Sequence, residues 1–197
     1  MNNYDYKYSK MVLKDHEFSV PLDYNKKQSR KITVFAREIL REEYLSKNLP
    51  YLVFFQGGPG YESPRPITFS DWIDKASKDY KILLLDQRGT GLSTPVLSEN
   101  LLHLNDQEMA NYLMLFRADN IVKDAEFIRK RLIGNKKWSI LGQSFGGFCA
   151  VHYVSFYPES LEKVFITGGL PPLHAHCDEI YRSTYKRVIL KNKEFFK

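Results

Sequence analysis

The stretch Gly142-Gln143-Ser144-Phe145-Gly146 constrains the fold of this chain more than any other, because of what flanks it. Trp138-Ser139-Ile140-Leu141 leads in as a short, mainly apolar strand, and Phe148-Cys149-Ala150-Val151-His152-Tyr153 leads out with helical character. A Gly-x-Ser-x-Gly turn between a strand and a helix is the pattern of a nucleophile elbow. The turn is so tight that its serine takes a strained backbone conformation. The residues two before and two after it must be small for strand and helix to pass each other. The hydroxyl is then held at the tip of the turn, where backbone N–H groups of the helix start also point. The pentapeptide by itself fits an ordinary Gly/Ser-rich loop equally well; the strand and helix on either side favour the elbow.

The rest of the chain supplies a sheet to carry such a turn. Residues 11–20 and 31–40 alternate apolar and polar side chains (Val12, Leu13, Phe18, Val20; Ile32, Val34, Ala36, Ile39) and read as two half-exposed strands joined by a loop over Asp23 to Ser29. Tyr51–Phe55, Ile82–Leu85 and Val164–Ile166 are instead unbroken apolar runs, as expected of strands buried on both faces of a parallel sheet. Between them, Asp119 to Leu132 reads as a helix with Ile121, Ala125, Ile128 and Leu132 on one face, acids near its start, bases near its end and Gly134 as its stop. Strands alternating with helices after an antiparallel hairpin predict an α/β fold, a mostly parallel sheet with an antiparallel N-terminal edge. Leu170-Pro171-Pro172 breaks the pattern, and a last helix from about Cys177 carries an apolar stripe (Ile180, Tyr181, Tyr185, Val188, Ile189) without an evident partner.

Composition narrows the function classes. With 197 residues and 43% hydrophobic content the chain can bury one core, and no stretch reaches the ~20 apolar residues of a membrane span. Met1 to Lys7 lacks the apolar core of a secretory signal and the two cysteines give no disulfide framework, so a cytoplasmic protein is the default, with Cys149 as a buried free thiol. The net charge of +6 is scattered in small groups with no zinc-ligand spacing or recognition helix, which speaks for a solvated surface and against a nucleic-acid partner. Oligomeric state is left open.

Acyl transfer by serine needs a nucleophile, a base, a carboxylate to orient the base, and donors for the oxyanion. Ser144 is the candidate nucleophile. Gln56-Gly57-Gly58-Pro59-Gly60 follows the Tyr51–Phe55 strand, where this architecture presents an oxyanion loop. The backbone N–H of Gly58 and that of Phe145 are the expected donor pair, with Gln56, Gly57 and Gly60 shaping the loop; an ordinary Gly-Pro turn is the competing reading. Asp86-Gln87-Arg88-Gly89-Thr90-Gly91 lacks the features of a phosphate loop and reads as a turn bracing the first loop, with Asp86 and Arg88 paired or bonded to backbone. Base and acid are the problem. After Ser144 come His152, His174 and His176 and a single aspartate, Asp178, with no histidine beyond it. His152 sits on the elbow helix, facing away from the tip.

Together, the Gln56–Gly60, Asp86–Gly91 and Gly142–Gly147 motifs resemble those of the proline iminopeptidases, serine exopeptidases of the α/β-hydrolase fold. The resemblance runs from the first strands to Gly168-Gly169-Leu170-Pro171-Pro172. It implies hydrolysis of short peptides with a free N-terminus, preferentially proline, through an acyl-enzyme on Ser144, with no metal or organic cofactor. It also implies that residues 1–172 are the first part of the hydrolase core and 173–197 the beginning of a helical cap inserted after the sixth strand. The family's catalytic aspartate and histidine then belong beyond Lys197, as do the acidic cap residues for the substrate's amino group. Gln56 departs from the family, whose loop usually begins with histidine; glutamine can hydrogen-bond there but cannot titrate. Two other readings stay open: a catalytically silent truncated product, and an esterase-type hydrolase of the same fold.

Overall fold

The computed structural model describes residues 5–66, 68, 71–170 and 174–197. They form one seven-stranded sheet with β1 (Asp5–Tyr8), β2 (Met11–Pro21), β3 (Lys31–Arg41), β4 (Tyr51–Phe55), β5 (Lys81–Leu85), β6 (Trp138–Gln143) and β7 (Leu161–Thr167). Their order is β1-β2-β3-β5-β4-β6-β7. β1, β2, β3 and β5 pair antiparallel, while β5, β4, β6 and β7 run parallel. The expected hairpin is thus a three-stranded meander: the short β1 lies before the alternating pattern begins and was not anticipated. The buried strands follow their composition. All five residues of β4 and four of the five in β5 are buried, because helices cover both faces.

The helices are α1 (Asp71–Ala76), α2 (Asp106–Met114), α3 (Ala118–Ile133), α4 (Phe145–Phe156) and α5 (Cys177–Phe195). α3 matches its expected span to within one residue at each end, buries Ile121, Ala125 and Ile128, and stops at Gly134, whose φ of 63° suits glycine. On one face of the sheet α3 and α4 close a core around Val53, Phe55, Leu83, Ile140, Cys149 and Tyr153. On the other, α1 covers Phe54, Ile82 and Leu84 with Ile73 and Trp72. Cys149 is buried as expected, and burial pushes its thiol up to about 12, so it stays protonated and inert. No residue of α5 is buried, and its apolar stripe is exposed throughout. Pro171 and Pro172, and with them the boundary expected at residues 172–173, lie outside the described residues. No helix among the described residues is long and apolar enough to cross a membrane.

Two buried charge clusters tie the layers together. Arg88 is fully buried; its Nε and Nη2 reach Asp124 at 2.7 and 2.6 Å, and Tyr24 donates to the same carboxylate at 2.8 Å. The remaining guanidinium donors go to the carbonyls of Pro21, Leu22 and Leu115. Of the two arrangements expected for Asp86 and Arg88, paired or bonded to backbone, the structure has the second: both bond to backbone groups, while Arg88 pairs with Asp124 and Asp86 with Arg65. In the second cluster Glu126 accepts from Arg129 at 2.9 and 2.6 Å and from Tyr153 at 2.9 Å, which joins α3 to α4.

These contacts fix the acid side of the stability profile. Burial raises the Glu126 pKa, but hydrogen bonds from Arg129 and Tyr153 outweigh it and the net shift is downward from 4.5. Glu38 behaves alike, its burial outweighed by His16 and Tyr51. A carboxylate with a lowered folded-state pKa stabilises the fold above its unfolded value, and that contribution is lost as pH falls through the folded one. We expect urea midpoints to drop as pH falls below 4.5. Glu38→Gln and Glu126→Gln should each flatten that limb, and an unchanged slope in both would contradict the assignment.

Candidate active site

β4 and β6 are parallel neighbours with Phe55 opposite Gly142, so the loop leaving β4 emerges beside the turn leaving β6. That turn is the anticipated elbow. Ser144 has φ 52° and ψ −117°, left-handed territory for a non-glycine residue, and its side chain is exposed. The conformation is held from both sides, by Ser144 N–H donating to Thr167 O at 2.9 Å and Gly147 N–H donating to Ser144 O at 2.8 Å. The flanking glycines leave no room for a side chain. A Cβ on Gly142 would lie 2.6 Å from the Gly146 carbonyl carbon, and one on Gly146 would lie 2.6 Å from that of Phe55. One on Gly169 would overlap the Ser144 carbonyl oxygen.

Strain at Ser144 has a measurable consequence. A non-glycine residue in such a region costs about 1–3 kcal/mol, which glycine does not incur, although glycine gives up about 0.5–1 kcal/mol of chain entropy. We expect Ser144→Gly to raise the unfolding free energy by about 1 kcal/mol in urea titration. A lowered midpoint would mean the turn is not strained.

The loop leaving β4 is held by close packing of a glycine and by polar contacts. Gly57 is buried, and a Cβ there would come within 3.0 Å of Ser144 Cβ, so only glycine lets the two segments approach this closely. The Gly57 N–H donates to the Gln56 Oε1 at 2.8 Å and is occupied. No described residue accepts from the N–H of Gly58 or of Phe145. Gln56 Nε2 donates to Glu62 O at 3.2 Å, and Gln87 Nε2 donates to Gln56 O at 2.9 Å. Gly60 has a φ of 100°, a conformation glycine adopts without strain. Asp86 is fully buried beneath this loop, accepting from Ser63 N–H at 3.0 Å and Leu92 N–H at 2.8 Å and pairing with Arg65 through both oxygens. The Asp86–Gly91 turn is thereby bonded to the segment Gln56–Ser63 through Gln87 and Asp86.

Base and acid are not assembled among the described residues. No side chain among them accepts from the Ser144 hydroxyl. His152 lies on α4, stacks on Phe156 at 4.3 Å between ring centres and faces a cavity of about 410 Å³ lined by Asp119 and Asn120, with burial lowering its pKa. His174 and His176 are exposed beyond β7, and His16 on β2 contacts Glu38 at 3.2 Å. Sequence reasoning missed Arg65, Ser63 and Gln87 as supports. The Asn105-x-x-Glu108 capping box that starts α2 carried a signal that could have been read.

Residues 50–193 match the family model described as the alpha/beta hydrolase fold. The chain belongs to the α/β-hydrolase family. Within it, the chain is 50% identical over 182 residues to a proline iminopeptidase of Aeromonas sobria, covering 92% of this chain and 43% of that protein. It is 37% identical over 188 residues to the proline iminopeptidase aneH of Aspergillus aculeatus, covering 91% of this chain and 42% of that protein. The chain therefore spans less than half the length of these curated relatives. Among solved structures, the 2-hydroxy-6-oxo-6-phenylhexa-2,4-dienoate hydrolase of Rhodococcus sp. strain RHA1 is similar with a TM-score of 0.52 at 20% identity, covering 83% of this chain and 50% of that one. That likeness concerns the α/β-hydrolase fold alone. The chain is thus an α/β hydrolase whose sequence is similar to proline iminopeptidases.

Proposed function

We propose that this chain carries the nucleophile half of a serine-type aminopeptidase that releases an N-terminal residue, proline above all, from short peptides. Ser144 Oγ attacks the carbonyl carbon of the N-terminal residue. The N–H groups of Gly58 and Phe145 hold the oxyanion, each contributing about 2.7–4 kcal/mol to the transition state in comparable sites. The shortened peptide leaves with a proton on its new amine, and water then hydrolyses the acyl-enzyme. The observation that carries this reading is the strained, exposed Ser144 packed against Gly57, with the two neighbouring N–H groups uncommitted. The identity to two proline iminopeptidases supports the substrate class.

The attack requires a base for the Ser144 proton and a carboxylate to orient it. We assign both to positions outside residues 1–197, and residues 173–197 to the beginning of a cap over the site. The 197-residue chain by itself is then expected to release no proline from a proline-amide reporter. A single-chain fusion of this protein to the part of the Aeromonas sobria enzyme that follows the matched region should restore turnover, and Ser144→Ala in the fusion should lower kcat by about 10⁶-fold, as in serine hydrolases generally. Turnover by the 197-residue chain would refute the assignment of base and acid. A folded fusion without turnover, or one indifferent to Ser144→Ala, would refute the nucleophile.

A further inference from the structure

Away from the elbow, three consecutive side chains of different chemistry converge where α5 begins. His176, Cys177 and Asp178 are all exposed, and one ligand atom from each lies within 4.8 Å of the others. His176 Nδ1 is 3.7 Å from Cys177 Sγ and 3.4 Å from Asp178 Oδ2, while Cys177 Sγ is 3.8 Å from Asp178 Oδ1. Consecutive residues inside a helix point about 100° apart and do not meet. They meet here because His176 precedes the helix in extended conformation, φ −67° and ψ 150°, which folds its ring back over the first turn.

We propose that His176 Nδ1, Cys177 Sγ and one Asp178 oxygen bind a single divalent ion of the zinc class, with water in the fourth position. The spacing supports this on general coordination chemistry. Zinc–nitrogen and zinc–oxygen bonds of about 2.0–2.2 Å and a zinc–sulfur bond of about 2.3 Å give a tetrahedron with edges of ~3.4 Å between N and O and ~3.6 Å to sulfur. The Nδ1–Sγ separation of 3.7 Å sits close to its edge. The Asp178 carboxylate approaches Nδ1 through Oδ2 and Sγ through Oδ1, so rotating it to bring one oxygen to both closes the three donors, already within 4.8 Å of one another, on an ion. The donor set of imidazole, thiolate and carboxylate suits zinc and its neighbours and not magnesium or calcium, which take oxygen ligands.

The site must overcome two costs. The positive end of α5 disfavours a cation, and the ion displaces the hydrogen bond from Asp178 N–H to His176 Nδ1. Thiolate and carboxylate bring two negative charges, which outweigh a helix end of about half a charge. The displaced bond is long, at 3.4 Å, and contributes little. On binding, the Cys177 thiol proton passes to water as the Sγ–metal bond forms.

The test uses the intact chain and two readouts. Cobalt(II), added as a spectroscopic stand-in for zinc, should give a sulfur-to-metal charge-transfer band that disappears in Cys177→Ser. Zinc should slow alkylation of Cys177 by iodoacetamide at least tenfold in the wild-type chain. His176→Ala and Asp178→Asn should each weaken that protection at least tenfold while Cys177 keeps its reactivity without metal. Magnesium should give neither effect. The proposal is overturned if cobalt produces no thiolate band, or if protection by zinc survives unchanged in both His176→Ala and Asp178→Asn.

Discussion

Replacing Gly146 by alanine is expected to remove the cooperative fold. In most helices the same substitution stabilises by about 0.5–1 kcal/mol, because alanine has less chain entropy to lose. Here the sign reverses. The new Cβ would overlap the carbonyl oxygen of Phe55 and lie 2.6 Å from its carbon. Phe55 belongs to β4, held between β5 and β6, so its backbone cannot retreat. Relief requires α4 to lift away from the sheet, which unseats Cys149, Ala150 and Tyr153 from the core. Overpacking ordinarily costs about 1–3 kcal/mol, and a backbone clash in a central layer belongs at or above the upper end. Thermal and urea unfolding followed by circular dichroism should show either no transition or a loss exceeding about 3 kcal/mol. A Gly146→Ala protein as stable as wild type would contradict the helix–sheet spacing on which the elbow depends.

The second large effect concerns Arg88. Its guanidinium joins the end of β2, the segment after α2 and the middle of α3, with every contact inside the protein. Removing one partner of a buried pair leaves the other charged and without compensation, at a cost of about 3–5 kcal/mol. Arg88→Met and Asp124→Leu should each destabilise by that amount in urea. The double substitution should cost clearly less than the two singles added together, because it leaves neither charge behind. Arg88→Lys should recover little, since an ammonium has three donors and cannot reach two carboxylate oxygens and three carbonyls at once. Additive single effects, or full rescue by lysine, would show that the network does not act as a unit.

How much of this was legible beforehand depends on the range of the interaction. The strands at residues 51–55 and 82–85, the span of α3 and the turn at Ser144 are local patterns of hydrophobic period and glycine placement, and the structure follows them. β1 escaped because four residues with two exposed tyrosines have no period to read. The partner of Asp86 escaped for a different reason. Arg65 and Arg88 both lie near enough in sequence to suggest pairing, and only the path of the chain decides that Arg65 turns under the loop while Arg88 turns toward Asp124. Nothing local marks Gly169; that a Cβ there would overlap the Ser144 carbonyl oxygen is a tertiary fact.

Covalent trapping tests the proposed nucleophilic role of Ser144 most directly. The fusion that supplies the remainder of the Aeromonas sobria enzyme should be treated with a fluorophosphonate and its peptides mapped by mass spectrometry. One adduct is expected, on the peptide bearing Ser144, formed more slowly in the presence of a proline amide and lost in Ser144→Ala. An adduct on a different serine, with Ser144 unmodified in a fusion that turns over substrate, would contradict the account.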